Sequence, residues 1–486
     1  MPHPNEHPFF LLSPFSFLQH RLKIIALKFQ YSLFYIMHTP LTQNTLRNLG
    51  FTSLTPMQES MFKAVKEGKN VALLSPTGSG KTLAFLLPLL HRLKPSKAWP
   101  QAVVIHPSRE LAQQSEEVFR KMKTEFTSMA LCGGRSAMEA GRKLKEVKPA
   151  IVFATPGRFN DHLKRKDFDG GLITTLVIDE FDKCLELGFK EEMNRLTQAL
   201  KFTKQTIFTS ATQPNIVLNE EPNLLFERYA KASILDFAST ANEDAPENKI
   251  DWYVTPSPIA DKLETLARLL THIGGKPAIV FVSHRESVER VANFLKQHKF
   301  ACSAYHGGME QAMRERELYC FRAGSTNILI STDLAARGLD IPEVEAVVHY
   351  HMPINEEAFT HRCGRTARWT ADGSVYLIQG PTEQSPDYYP QQAEHISLDD
   401  TPIFPTRPKY ATIYISKGKR DKISKIDIVG FLCKKGGLTS ADIGRIDIEP
   451  NYSYVAINAQ KANATLKAVA GEKIKGTRIL IELMKK

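Results

Sequence analysis

The stretch Ser75-Pro76-Thr77-Gly78-Ser79-Gly80-Lys81-Thr82 decides the fold of the first half of the chain. An apolar run, Val71-Ala72-Leu73-Leu74, leads into it, and an apolar-periodic run, Leu83-Ala84-Phe85-Leu86-Leu87, leaves it. Strand, glycine loop and helix in that order make a phosphate-binding loop. Gly78 and Gly80 permit the tight turn that points successive N–H groups and a helix N-terminus at an anion. In such a loop Lys81 reaches the outer phosphates and the Thr82 hydroxyl ligates Mg2+.

Outward from the loop, strand-like runs at 71–75, 102–106, 150–154, 175–179 and 205–210 alternate with helical patterns. Such alternation predicts a parallel α/β sheet covered on both faces, with ligands bound at the carboxyl ends of its strands. Residues 238–248 lack periodicity and read as a linker. The pattern then restarts, with strands expected at 252–255, 278–282, 301–305, 328–331, 346–350 and 375–379, but without a second phosphate loop. Residues 381–408 hold six of the chain's 28 prolines and read as another linker. Beyond it the sequence predicts strand 412–415, helix 425–434, strands 443–448 and 452–457, helix 461–469 and strand 478–483. That β-α-β-β-α-β order is the split arrangement used by many RNA-recognition modules. The expected organisation is therefore α/β, with a leader at 1–36, a nucleotide-binding lobe at 37–237, a second lobe at 249–380 and an α+β module at 409–486.

Charge is distributed unevenly. Residues 407–486 carry 17 Lys and Arg against 7 Asp and Glu, a net of +10, whereas the other 406 residues balance 46 basic against 45 acidic side chains. A basic terminal module on a near-neutral body suits a polyanionic partner. The six cysteines are scattered without metal-ligand spacing, as in a reduced cytoplasmic protein. The leader is aromatic, interrupted by Pro14 and followed by Arg21, Lys23 and Lys28, too short and too charged to span a membrane. It reads as an unstructured leader, with Met37 as an alternative start.

Two further clusters carry chemistry. Asp179-Glu180 ends the run Leu176-Val177-Ile178. Alone, the pair would suit a helix N-terminus. Beside a phosphate loop, Asp179 is expected to hold Mg2+ through its water shell and Glu180 to orient and deprotonate the attacking water. In His361-Arg362-Cys363-Gly364-Arg365-Thr366-Ala367-Arg368, Arg365 and Arg368 would share one face if the segment is helical. Their guanidinium groups suit developing phosphoryl charge, supplied to a loop in the other lobe. In the tail, period-2 alternation opposes Tyr414 to Ile413 and Ile415, and Tyr452 and Tyr454 to Val455 and Ile457. Three tyrosines on an open sheet face would make a stacking platform for RNA.

From about Gly50 to Gly380 these residues resemble a DEAD-box RNA helicase of superfamily 2. Gly50-Phe51, Pro56 and Gln58 resemble the adenine-reading Q motif, and Ser75–Thr82, including Ser75, Thr77 and Ser79, resembles motif I. Pro107-Ser108-Arg109-Glu110-Leu111-Ala112 resembles motif Ia, Gly133-Gly134 the GG element and Thr155-Pro156-Gly157-Arg158 motif Ib. Asp179-Glu180-Phe181-Asp182 is similar to motif II and Ser210-Ala211-Thr212 to motif III. Phe281-Val282-Ser283-His284-Arg285, Gln311-Ala312-Met313-Arg314, Ser331-Thr332 through Asp340, and His361–Arg368 resemble motif IV, the QxxR element, motif V and motif VI.

The resemblance implies two RecA-like lobes, ATP and Mg2+ as cofactors, and an RNA-stimulated ATPase. It implies adenine contacts from Phe51 and Gln58, sugar contact from Asp340, and coupling by Asp182, Ser210, Thr212 and His361. It further implies RNA-backbone contacts from Pro107, Arg109, Gly134, Thr155, Arg158, Arg285, Arg314 and Thr332. Phe181 stands where the family has alanine, and its bulk is expected to bear on how Asp182 meets motif III. Ala367 and Cys363 also depart from the family pattern. The tail, from Ile423 to Leu483, resembles the DbpA-type RNA-binding domain. That implies a large-subunit ribosomal RNA target in pre-ribosomal particles, for a monomeric, non-membrane protein. The rival expectations are an ATP-gated RNA clamp or scaffold with weak hydrolysis, and a DNA-directed ATPase.

Overall fold

A computed structural model describes residues 39–76, 78–95, 99–133, 136–186, 189–213, 223–238, 250–336, 344–366 and 373–484. The expected leader and nearly all of the linker at 238–248 lie outside the described residues. The chain divides into two compact units, Met1–Ala241 and Asn242–Lys486.

A strand that is apolar at every position has no polar face to offer water, so it sits in a sheet covered on both sides. In the first unit the strands are β1 (Val71–Leu74), β2 (Ala102–Ile105), β3 (Ser128–Leu131), β4 (Ile151–Ala154), β5 (Thr175–Ile178), β6 (Gln205–Ser210) and β7 (Ser233–Asp236). They form one parallel sheet in the order β3-β4-β2-β5-β6-β1-β7. Alternation divides their side chains between two cores. Val71, Leu73, Val104, Phe153, Val177 and Ile207 pack on one face, and Ala72, Val103, Val152, Leu176 and Phe208 on the other. The five expected strands are present. The sequence reading missed β3 and β7, which are only partly buried and so lack an unbroken apolar run. Phe181 is fully buried in the second core, with ring centroids 4.8 Å from Phe208 and 5.2 Å from Tyr229.

The second unit contains β8 (Ile250–Pro256), β9 (Ala278–Val282), β10 (Cys302–Tyr305), β11 (Ile328–Thr332), β12 (Ala346–His349), β13 (Gly373–Gln379) and β14 (Glu394–His395). Their order is β10-β11-β9-β12-β13-β8-β14, again parallel and covered on both faces. The stretch 381–408 is not a free linker. It lies along this lobe, contributes β14, and buries Tyr389 and Leu398. The Tyr389 hydroxyl donates to the Tyr253 carbonyl at 2.8 Å, and Arg268 donates to the carbonyls of Asp399 and Thr401 at 2.5 and 2.8 Å. Lys262 donates to the Tyr350 and Ile378 carbonyls and to the Glu383 carboxylate, securing the start of the strap.

The tail adds β15 (Tyr410–Ile415), β16 (Ile443–Ile448), β17 (Ser453–Asn458), a short hairpin of β18 (Lys473–Ile474) and β19 (Thr477–Arg478), and β20 (Ile481–Leu483). The antiparallel order β16-β17-β15-β20 is that of the expected split module. Ile413, Ile415, Val455 and Ile457 pack against the helix Lys425–Lys434 through Ile428, Phe431 and Leu432. That helix begins with a capping box in which Ser424 and Asp427 satisfy each other's backbone N–H groups.

The other face of this sheet carries Tyr414, Tyr452 and Tyr454, with ring centroids 5.0 to 6.1 Å apart. The sequence reading expected an open platform, and this face is partly covered, with all three tyrosines half-buried. The helix Gln311–Arg322 of the lobe lies against it. Tyr319 sits 5.0 Å from the Tyr454 ring and donates its hydroxyl to the Arg445 carbonyl at 2.6 Å. Ser325 bonds Thr412 at 2.7 Å, and Tyr452 donates to Glu315 at 3.4 Å. Burial pushes the Tyr454 phenol up to about 12.

Two outcomes follow from this packing. Replacing Phe181 with alanine is expected to destabilise the first unit by about 3 kcal/mol, because a large buried ring leaves a cavity that the sheet cannot fill. An unchanged chemical-denaturation midpoint would refute that. The substitution Tyr319→Ala is expected to accelerate hydrogen exchange in β16 and β17 while β9 and β11 stay protected. Equal protection of the tail in both proteins would show that the joint contributes little.

Candidate functional site

The first unit gathers its polar groups at the carboxyl ends of β1, β2, β5 and β6. Directly after β1 the chain turns through Gly78 and Gly80, with φ of 87° and 91°, a region side chains disfavour. A Cβ at Gly80 would lie 2.7 Å from Gln58 Nε2 and would push that amide away from the loop. Lys81 opens the helix Lys81–Leu90 and donates to the carbonyls of Ser75 and Pro76 at 2.6 and 2.8 Å. Ser75 donates to the Ser79 hydroxyl at 2.8 Å, binding the loop across its own width. Thr82 occupies the second helical position. Gln58 caps its helix by accepting from Thr55 N–H at 3.0 Å, and its amide reaches the Gly80 carbonyl at 3.4 Å. The structure thus joins the Q-motif residue to the phosphate loop, while Phe51 stays 53% exposed. Thr77 lies outside the described residues.

Asp179 follows β5 and is almost entirely buried. Its Oδ1 accepts from the Thr209 hydroxyl of β6 and from the Glu180 N–H at 3.1 Å. Its Oδ2 lies 3.2 Å from His106 Nδ1. Burial pushes the Asp179 carboxyl up, but His106, Thr209 and Lys81 together outweigh it and hold the group below the ordinary carboxylate value. A carboxylate kept ionised at the mouth of a glycine loop fits a divalent cation, and a Thr hydroxyl in the adjoining helix adds a second oxygen ligand. Glu180 has φ of 49°, a left-handed conformation that costs a non-glycine residue roughly 1 kcal/mol. That turn places the side chain after the strand and before the helix Phe181–Glu186.

Asp182 accepts from the Thr212 hydroxyl at 3.1 Å, and the Ser210 hydroxyl donates to the Thr212 carbonyl at 2.5 Å. Lys183, also buried, lies 3.5 Å from Asp182. Because the Phe181 ring is taken up by the aromatic core, its bulk leaves the Asp182–Thr212 contact intact. Motif Ia, the GG element and motif Ib meet near the end of β3. The Arg109 guanidinium overlies Gly133, Cys132 Sγ contacts the Arg109 carbonyl at 3.5 Å, and Arg158 Nε donates to the Cys132 carbonyl at 3.2 Å. Thr155 immediately precedes the helix carrying Arg158, Pro107 is buried after β2, and Gly134 lies outside the described residues.

In the second unit, Arg314 donates to the Tyr305 hydroxyl at 3.1 Å, with its guanidinium 5.1 Å from that ring. Arg285 is exposed beside Glu286, and Thr332 ends β11. The helical turn expected to align Arg365 with Arg368 runs into residues 367 and 368, which lie outside the described residues. The helix Glu356–Cys363 stops before Gly364, Arg365 sits buried in the turn that follows, and Thr366 bridges to Val344. His361 lies in the last helical turn. Arg368 and Asp340 fall outside the described residues. Sequence reading passed over Arg362, which is fully buried and donates to both Asp333 carboxylate oxygens at 2.6 and 2.7 Å and to the His351 carbonyl at 2.7 Å. This pair locks motif VI to motif V, and only its position within motif VI hinted at it.

Comparison with known proteins agrees with this geometry. Residues 55–219 match the DEAD/DEAH box helicase family, 261–370 the helicase conserved C-terminal domain and 412–483 the DbpA RNA binding domain. The ATP-dependent RNA helicase DbpA of Escherichia coli is 32% identical over 92% of this chain and 98% of its own length. The ATP-dependent RNA helicase DeaD of Mycobacterium tuberculosis is 28% identical over 91% of this chain and 92% of its own. Among solved structures, S. cerevisiae Dbp5 bound to RNA and ADP BeF3 superposes with a TM-score of 0.64 at 27% identity, covering 75% of this chain and 95% of that one. Mss116p bound to ssRNA and AMP-PNP gives 0.61 at 26% identity, covering 71% and 73%. With this ancestry written across both lobes and the tail, the chain belongs to the DEAD-box family of ATP-dependent RNA helicases and is close to DbpA.

Proposed function

We propose that this helicase remodels large-subunit (23S) ribosomal RNA within pre-ribosomal particles in the cytoplasm, acting as a monomer on short structured elements. The observation that carries the reading is the pairing of an assembled phosphate loop and motif II with a DbpA-type tail of net charge +10. Among the described residues no helix is long and apolar enough to cross a membrane.

In this reading the Gly78–Thr82 backbone and Lys81 bind the nucleotide phosphates, and Gln58 with Phe51 receives the adenine. Mg2+, when bound, supplies positive charge to the phosphates, and Thr82 and Asp179 are the residues that would hold it. Glu180 accepts the proton of the attacking water, and Arg365 and Arg368 stabilise charge on the transferred phosphoryl group. Asp182, Ser210, Thr212 and His361 relay the nucleotide state. Pro107, Arg109, Gly134, Thr155, Arg158, Arg285, Arg314 and Thr332 hold RNA through its backbone, which makes the core indifferent to sequence. The tail chooses the RNA. The Phe181 ring sits inside the core while Asp182 stays joined to Thr212, which favours hydrolysis over a weakly hydrolysing clamp; Ala367, the other departure that bears on that rival, lies outside the described residues.

The substitution Glu180→Gln is expected to keep ATP and RNA binding while lowering RNA-stimulated turnover by at least about a hundredfold. Normal turnover in a steady-state ATPase assay would remove Glu180 from the reaction. Deleting 407–486 is expected to leave basal ATPase in place while abolishing the preference for ribosomal RNA over a generic duplex. A preference that survives the deletion would refute target choice by the tail.

A further inference from the structure

His106 has no part in the motifs that identify the chain, yet it lies beside the most constrained carboxylate of the first unit. It follows β2, next to β5, where Ile105 pairs with Ile178, so the next residues on the two strands, His106 and Asp179, emerge side by side. The backbones there are fixed. His106 N–H donates to the Ala154 carbonyl and Asp179 N–H to the Ile105 carbonyl, both at 2.9 Å. The imidazole is completely buried and stacked on Phe153, with centroids 6.2 Å apart and planes 21° apart. Its Nδ1 stands 3.2 Å from Asp179 Oδ2, and neither ring nitrogen makes a well-aligned hydrogen bond.

A buried polar ring with both nitrogens poorly satisfied costs stability, and its presence calls for a role nearby. Packing alone does not account for it, because leucine would fill the same apolar wall without that cost. The carboxylate can only accept, so a bond between the two requires the hydrogen on Nδ1. Asp179 is then flanked from both neighbouring strands, by the Thr209 hydroxyl bonded to Oδ1 and by His106 Nδ1 3.2 Å from Oδ2.

We propose that His106 is a positioning residue that fixes the Asp179 carboxylate in the orientation the divalent cation requires. The inference rests on the reading of Asp179 as the residue that holds Mg2+. Partners that orient a metal-holding carboxylate set its affinity although they never touch the ion.

The test is equilibrium binding of a fluorescent ADP analogue to the full chain across a Mg2+ titration and in EDTA. His106→Leu keeps the apolar packing and removes the donor. His106→Asn returns an N–H near the position of Nδ1. In His106→Leu the half-saturating Mg2+ concentration is expected to rise by about tenfold, with affinity in EDTA within a factor of two of the parent. His106→Asn is expected to recover most of that loss. An equal loss in Mg2+ and in EDTA would assign His106 to packing and overturn the proposal. An unchanged Mg2+ dependence in His106→Leu, with a raised requirement in Asp179→Asn, would also overturn it while leaving Asp179 in place. If Asp179→Asn too is unchanged, the reading of Asp179 falls and takes this inference with it.

Discussion

A parallel sheet buried on both faces leaves polar side chains nowhere to go except the strand ends. That constraint governs the first unit. β1, β2, β5 and β6 are apolar or fully buried along their lengths. The groups that need water, charge or ligand therefore emerge together where the strands stop, as Ser75 to Lys81, His106, Asp179 and Ser210. The chemistry is concentrated because the fold excludes it elsewhere. Desolvation at this edge also strengthens each charge interaction, so Asp179 can be almost fully buried and still remain ionised, provided that neighbouring donors face it.

The same constraint explains how the chain accommodates its departures from family pattern. Phe181 adds a large ring immediately after two catalytic-type carboxylates. The left-handed turn at Glu180 ends the strand, and the next side chain drops back beneath the sheet to meet Phe208 and Tyr229. Asp182 remains at the edge and keeps Thr212. A substitution that looks disruptive in the sequence becomes a core contact because the turn separates residues that face ligand from residues that face the core. The Ser75 hydroxyl is likewise satisfied at the edge, within the loop, by Ser79.

What was legible in the sequence follows from where the signal is local. The unbroken apolar runs of β1, β2, β4 and β5 announce buried strands, and the glycine loop announces the site. β3 and β7 were not legible, because partly exposed edge strands need no continuous apolar run. The strap at 381–408 was obscured by its prolines, since Tyr389 and Leu398 are separate anchors in a segment without periodicity. Arg362 with Asp333, and His106 with Asp179, are pairings across distant parts of the chain that no local spacing encodes. A lone histidine before Pro107 carries no pattern, and its meaning appears only when β2 and β5 are seen side by side.

The tyrosines of the tail show the limit of arguing from a face. Alternation correctly placed Tyr414, Tyr452 and Tyr454 together, but alternation does not say what covers them. Helix Gln311–Arg322 uses one side to hold Arg314 against Tyr305 and another to set Tyr319 against Tyr454. Tyr454 and Tyr452 are thus partly engaged inside the protein, while all three rings stay half-buried. The tail also presents basic charge: Lys419, Arg420, Lys422, Lys473, Lys475 and Arg478 all reach solvent. With Tyr454 engaged in the joint and basic side chains outward, the tail's hold on a polyanion draws on counterion release, which weakens steeply as salt rises. Its attachment to the lobe rests on the Tyr319–Tyr454 ring contact and on neutral hydrogen bonds, interactions that salt screens little.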